Sequence, residues 1–451
     1  MQQLGEIMRE QISNQIKKYS ENYEVYLQNS TVNELQIQKN KIYLESVTYD
    51  KGYGIRIHNG GLGFSTSNDS SIKSINNSIE NANDSAMLTD KVDFKFPSKG
   101  KYKKTKTVDK KIRDDAQNQL KEFADKFLSM LPEDVMISFA KLRTYHTNIE
   151  LFNSEKLDLD REETTFMLES SLIVEKDNKK VEFWPHQYRK RIQDITEEDI
   201  EHWIQIAQDQ IDTVVPKTKK MSVIFSPESV LDGLGSVIDL HCSGSAKINH
   251  ISKFEKNEQV ADKKLNVIND GLTDYGLSTS SFDDEGISQR NTDLIKKGQF
   301  KNYFYNQFYA IKDKTKSTGN GLRQGSVFYT FDSKYGGTPS SQISNFKIKP
   351  GKHKLEKMIS ETKNGIIVDK FAWMAPDEIS GSFSSQISAG YLIENGEITK
   401  PIKGGLVTGN FLELMKNISA ISKKSKITSG GSIFSGICPY VKFEDVLVAG
   451  D

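Results

Sequence analysis

Residues 221–242 read MSVIFSPESVLDGLGSVIDLHC. Met221 to Phe225 is a short apolar run and predicts a buried strand. Ser226-Pro227-Glu228 then combines three helix-start signals: a serine to accept open amides, a proline suited to the first helical position, and an acid in the first turn. Val230, Leu234, Val237, Ile238 and His241 recur at helical spacing, so the predicted helix has one apolar face. Immediately upstream, Pro216-Lys217-Thr218-Lys219-Lys220 interrupts the periodicity and sets the expected domain boundary.

Working outward, glycine-punctuated strands dominate downstream, with helices expected over 354–362 and 411–418. Upstream, Leu4, Ile7, Met8, Ile12 and Ile16 predict an amphipathic opening helix. Five short strands are expected at 23–28, 34–38, 42–49, 54–58 and 62–66, with Asn59-Gly60-Gly61 supplying a tight hairpin. Helices are expected over 71–86, on the face carrying Ile112, Ala116, Leu120, Phe123, Ala124 and Phe127, and over 200–211. An antiparallel meander is expected over 134–187. Helices and strands interleave without a βαβ repeat, so the class is α+β. The reading is two domains, 1–215 and 216–451, with mixed or antiparallel sheets and flanking helices.

The 451 residues carry 61 Lys+Arg against 61 Asp+Glu, a neutral balance that gives no footprint for nucleic acid or an anionic membrane. The lysines at 101, 103, 104, 106, 110 and 111 read as a solvated connector. Two cysteines, no signal-peptide core and no apolar stretch of membrane-spanning length point to a cytoplasmic protein.

Metal chemistry is poorly provided for. The two closest of seven histidines, His241 and His250, stand nine residues apart, whereas a helix presents two zinc ligands on one face at three to five. No histidine is followed by glutamate. His241, Cys242, His250 and Cys438 form the one soft-ligand set; the alternative is two small buried thiols and a histidine at a helix C-terminus. Asp283-Asp284-Glu285 reads either as oxygen ligands for a hard cation or as a solvated turn before Gly286. Ser317-Thr318-Gly319-Asn320-Gly321 reads either as a cleft wall offering amides to an extended peptide or as a loop needing positive φ at Gly319 and Gly321. There is no Gly-x-Ser-x-Gly elbow and no dinucleotide fingerprint.

An ordered set of motifs spans most of residues 221–451: Ser281 to Gly286 with Arg290, Leu294 to Gly298, Tyr303, Tyr309-Ala310, Ser317 to Gly321, Gly390 to Gly396 and Gly405 to Asn410. Together with Gly54 to Ile57 and Gly60 to Ser65, this set resembles the TldD/PmbA family, known both as modulators of DNA gyrase and as peptidases. The resemblance implies two arms. TldD-like members hold zinc on a His-Glu-x-x-x-His helix completed by a late cysteine, and PmbA-like (TldE) members lack that motif and partner them. Here the corresponding helix, Pro227 to Leu240, contains no histidine, which places the chain with the PmbA/TldE arm. The implied role is a non-catalytic subunit of a cytosolic TldD–TldE type metalloprotease acting on unfolded or precursor peptides. Zinc is then expected in the TldD-like partner and no cofactor in this chain, which can form a homodimer when alone. The alternatives are an autonomous metallopeptidase built on the His/Cys set and a gyrase-modulating binding protein.

Overall fold

The computed structural model describes residues 2–324, 333–429 and 435–451, with side chains from residue 9 onward. Seven described strands form a first sheet: β1 (Tyr23–Gln38), β2 (Lys41–Asn59), β3 (Gly61–Ser67), β4 (Val135–Asn153), β5 (Asp158–Lys176), β6 (Lys179–Phe183) and β7 (His186–Arg189). Their order is β3-β2-β1-β4-β5-β6, with β7 also on β5, and every pair is antiparallel.

The five short strands expected over 23–66 are in fact three, two of them long. β1 continues through its polar centre because Ser30 hydrogen-bonds Thr147 of β4 at 2.9 Å, both side chains being buried. β2 continues through Gly52, in the gap between the expected strands 42–49 and 54–58, and through Gly54, which opens the second of them; both serve close approach. A Cβ at Gly52 would lie 2.3 Å from the Tyr335 ring, and one at Gly54 would lie 2.5 Å from the Tyr335 carbonyl. The Asn59-Gly60-Gly61 hairpin forms as expected, with Gly60 alone of the two glycines at positive φ (81°).

Four helices accompany this sheet: α1 (Gln2–Ile16), α2 (Ile72–Leu88), α3 (Lys110–Ser129) and α4 (Glu197–Asp209). Ser71 and Asp109 cap α2 and α3, and Thr196 with Asp199 forms a capping box on α4. The apolar face expected on α3 is buried from Ile112 to Phe127. Ile12 and Ile16 of α1 are fully buried; the side chains of Leu4, Ile7 and Met8 lie outside those described. Strand alternation assigns the two faces. Val25, Leu27, Leu35 and Ile37 of β1 join the cores under the helices, whereas Glu24 and Tyr26 face residues from the second half of the chain.

A second, mixed sheet of eleven described strands begins with β8 (Lys219–Phe225). β8 pairs in parallel with 364–371 and antiparallel with 435–449, and the strands at 382–394 and 406–410 complete a closed ring. Closure leaves these five strands without a free edge against one another. Phe225 sits at the centre, its ring 5.2 to 6.4 Å from those of Phe371, Phe383, Phe411 and Phe443. Burying one such phenylalanine contributes roughly 1.5–3 kcal/mol. Between the sheets, Val214 bridges Ile402, and Pro216 lies against Gly450.

The helix opened by Ser226 runs from Pro227 to Cys242 with one irregularity. α5 (Pro227–Val230) passes into a π turn at Leu231–Gly235 and resumes at Ser236–Cys242. Val230, Leu234, Val237, Ile238 and His241 are all fully buried, as their spacing predicts. At the π turn the backbone of Gly233 lies against Phe411, where a Cβ would come within 2.2 Å of the ring. The helix expected over 411–418 stops at Leu414, and Ile418 instead opens a strand. The α+β class holds throughout.

Candidate functional site

The helix start borders a cavity of about 80 Å³ between the two sheets. Ser226 Oγ accepts the amide of Ser229 (3.3 Å) and donates to the carbonyl of Asp369 (2.8 Å), fixing the turn from β8 into the helix. Phe183, Trp203 and Tyr440 supply apolar wall. Charged groups enter from both sheets. Lys370 lies 3.5 Å from Glu228, Lys426 lies 3.1 Å from Asp199, and His202 at the exposed rim lies 3.5 Å from Asp369. Burial, with Asp369 and Asp199 adding to it, pushes the Tyr440 hydroxyl well up, so it stays protonated. Arg189, at the end of β7, completes the wall.

The soft-ligand set is not gathered there or elsewhere. His241 is fully buried, accepts the Lys253 amide on Nδ1 (3.2 Å) and lies 5.2 Å from the Phe254 ring. Burial and Lys253 push its pKa down to about 4. Cys242 is buried in the second sheet's core, its thiol pushed up by burial and by Asp239. His250 is exposed in a turn at φ 56°. Cys438 lies buried on the last strand, its thiol pushed up by burial and by Asp232 of the π turn. Zinc takes thiolates and neutral imidazoles converging in one shell. Among the described residues no three His, Cys, Asp or Glu side chains converge on a point. These donors do not fit a zinc ion.

The acidic triplet corrects the hard-cation reading and the solvation of the turn, while the turn itself forms, held by Asp283 accepting backbone amides across it. Asp283, Asp284 and Glu285 are 0, 1 and 0% exposed, so this is no solvated turn. Their oxygens are also already committed to protein donors. Asp283 accepts the amides of Glu285 (3.1 Å), Ile287 (2.8 Å) and Gly321 (2.8 Å). Asp284 pairs with Arg161 and accepts the Arg323 amide (2.7 Å). Glu285 accepts from Arg56 (3.1 Å) and from the Gln307 amide (2.7 Å). Arg56 in turn holds Glu24 at 2.9 and 2.7 Å, and Arg323 reaches Glu24 at 2.9 Å. Burial opposes ionisation of Asp284, but Arg161 and Lys334 offset it and hold its pKa below the usual range. Burial and the adjacent Glu285 push Asp283 the other way. The result is an ionic clamp between the first sheet and the loops of the second half.

The Ser317–Gly321 loop packs beside this clamp. The Ser317 and Thr318 hydroxyls donate to the Tyr305 carbonyl (both 3.1 Å), and Asn320 binds Asn269 and the Gln342 carbonyl. The amides of Thr318, Gly319 and Gly321 are bonded to Tyr305, Ser317 and Asp283. Gly319 takes the expected positive φ (77°), but Gly321 does not; a Cβ there would lie 2.1 Å from Glu285. Thr318 alone of the five lines an open groove of about 950 Å³, with Arg290, Tyr303 and Tyr305. Sequence reasoning overlooked Arg189 and the Arg56 clamp. The one available signal was Arg189-Lys190-Arg191, three consecutive cations of which the middle one is wholly buried against Glu163 (3.1 Å).

Residues 218–450 match the PmbA/TldA metallopeptidase C-terminal domain, and residues 23–86 match PmbA/TldA metallopeptidase domain 1. A metalloprotease TldD homolog of Haemophilus influenzae is 29% identical over 206 residues, 43% of this chain and 40% of that protein. The chain thus aligns with less than half the length of this curated relative. TldE from Thermococcus kodakarensis superposes with a TM-score of 0.86 at 22% identity, covering 98% of this chain and all of the other. A candidate modulator of a DNA gyrase from Thermotoga maritima superposes at 0.81 and 19%, over 98% and 99% of the two chains. At these identities the likeness to the two structures is one of fold. The domain matches cover more than half the sequence, and the chain belongs to the PmbA/TldD metallopeptidase family.

Proposed function

We propose that this chain is a TldE-like, non-catalytic subunit that pairs with a TldD-like zinc protease and helps it handle unfolded or precursor peptides. The observation that carries this reading is the donor geometry. The helix from Pro227 to Leu240 presents no imidazole, and among the described residues His241, Cys242, His250 and Cys438 do not converge as a ligand set. Water activation then belongs to the partner's metal, and this subunit contributes shape and hydrogen bonds. Within that role the Arg290, Tyr303 and Tyr305 groove, with Thr318 of the Ser317–Gly321 loop, is the surface we assign to an extended peptide. The similarity to Thermococcus TldE supports the assignment to this arm. Among the described residues no helix is long and apolar enough to cross a membrane.

The test is co-expression with a TldD-like zinc subunit from the same source, followed by size-exclusion chromatography and cleavage of an unstructured peptide. The expected outcome is a stable complex whose cleavage is abolished by a chelator, with no cleavage by this chain alone. Chelator-sensitive cleavage by the isolated chain would establish the autonomous peptidase instead. Failure to associate would count against the subunit role.

A further inference from the structure

Arg189 is the odd charge in the cavity beside the helix start. It is 6% exposed, and its one hydrogen bond among the described residues is from Nη1 to the carbonyl of its own neighbour Tyr188 (2.7 Å). Three carboxylates lie near enough to act on it electrostatically, Asp199, Asp194 and Glu228, yet each is engaged by another cation. Asp199 holds Lys426 (3.1 Å), Asp194 holds Arg191 (3.0 Å), and Glu228 holds Lys370 (3.5 Å). The remaining carboxylate in the wall, Asp369, faces His202. A guanidinium carries five N–H donors in a planar fork, and those of Arg189 that make no hydrogen bond to protein are left to the cavity it lines. The cavity opens at His202 and holds a side-chain-sized group, not a whole peptide.

We propose that Arg189 is the receptor for a peptide carboxylate, which enters this cavity and takes the guanidinium as a two-point anchor. The occupant is either a free C-terminus or an acidic side chain, with its aliphatic part against Phe183 and Trp203. Arg189 thereby gives the subunit a hold on peptide at the helix start, away from the Tyr305 groove. This inference rests on the peptide-handling role but concerns the isolated chain, so it is tested without the partner.

The experiment is calorimetric titration of the purified chain with four probes: acetyl-trialanine as free acid, the same peptide as its amide, acetyl-Ala-Asp-Ala-amide, and inorganic phosphate. Binding of either acid, with no binding of the neutral amide, supports the proposal, and the tighter of the two acids identifies the source of the carboxylate. Arg189→Gln is expected to weaken that binding about tenfold or more, as loss of a charge-assisted hydrogen bond does. Arg189→Lys retains part of it. Without ligand, Arg189→Gln is expected to leave the thermal midpoint unchanged or higher, because an unpaired buried charge is removed. Equal binding of acid and amide, binding of phosphate alone, unchanged affinity in Arg189→Gln, or a marked fall in its unliganded midpoint would each overturn the proposal.

Discussion

Replacing Arg56 by alanine tests whether the acidic triplet is a buried clamp. Arg56 is 4% exposed and donates Nε and Nη2 to Glu24 (2.9 and 2.7 Å) and Nη1 to Glu285 (3.1 Å). Arg56→Ala leaves Glu24 with Arg323 at 2.9 Å and Glu285 with only the Gln307 amide at 2.7 Å. Deleting one partner of a buried pair costs about 3–5 kcal/mol, and here the same residue serves two carboxylates, so the upper end is expected. Urea unfolding followed by tryptophan fluorescence and circular dichroism reads this cost as a lower midpoint. The pH dependence supplies the sign. Burial already raises Glu285 in the intact chain, and losing the adjacent cation raises it further above its unfolded value of about 4.3. The folded variant then binds more protons than the unfolded one, so the deficit is full above the raised pKa. It shrinks as pH falls through that value. Glu285→Gln in the Arg56→Ala background is expected to recover part of the loss at pH 8. A cost below about 1 kcal/mol, the range of exposed pairs, or a deficit that does not shrink on acidification, would refute the buried clamp.

Glu163→Gln should cost about 3–5 kcal/mol at neutral pH, since it strands Lys190, which is 0% exposed. Against burial, Lys190, Lys334 and Arg161 hold Glu163 well below the usual range. Its contribution is present above about pH 4.3 and lost as pH falls toward the lower folded value, so acid titration by circular dichroism should show a shallower loss in the variant. Gly319→Ala should cost about 1–3 kcal/mol in urea, because φ is 77° and the new Cβ would lie 2.4 Å from the Ser288 carbonyl. Gly60→Ala, at φ 81° but in open space, should cost only about 1–2 kcal/mol. Equal losses in the two glycine variants would show that the Ser288 contact is relieved by movement. Zinc added to the purified chain and removed by gel filtration should leave a substoichiometric residue unaffected by Cys438→Ala; one equivalent lost in that variant would restore a metal site.

Much of the local structure was legible because it depends on neighbours in the chain. The Ser226-Pro227 helix start, the buried face of α3 and the Gly60 hairpin follow from capping, periodicity and backbone sterics alone. The missing histidines on the Pro227 to Leu240 helix were likewise plain from composition. Where local reading failed, the deciding partner was distant. The break expected between residues 49 and 54 is absent because Gly52 lets the distant Tyr335 pack against a continuous strand.

Sequence alone therefore determined the α+β class, the family and the lack of a helical zinc motif, all of which are properties of residue order over a few turns. Tertiary structure decided what the charged residues do. Asp283-Asp284-Glu285 has the look of a solvated turn, and becomes a buried clamp only because Arg56 and Arg161 arrive from strands more than 100 residues earlier. Arg189 is distinguished from its neighbours Lys190 and Arg191 only because the fold assigns them Glu163 and Asp194 and leaves it without a carboxylate of its own. Whether a charge is solvated, paired or left waiting is set by desolvation and by three-dimensional neighbours, and neither is written in the spacing along the chain.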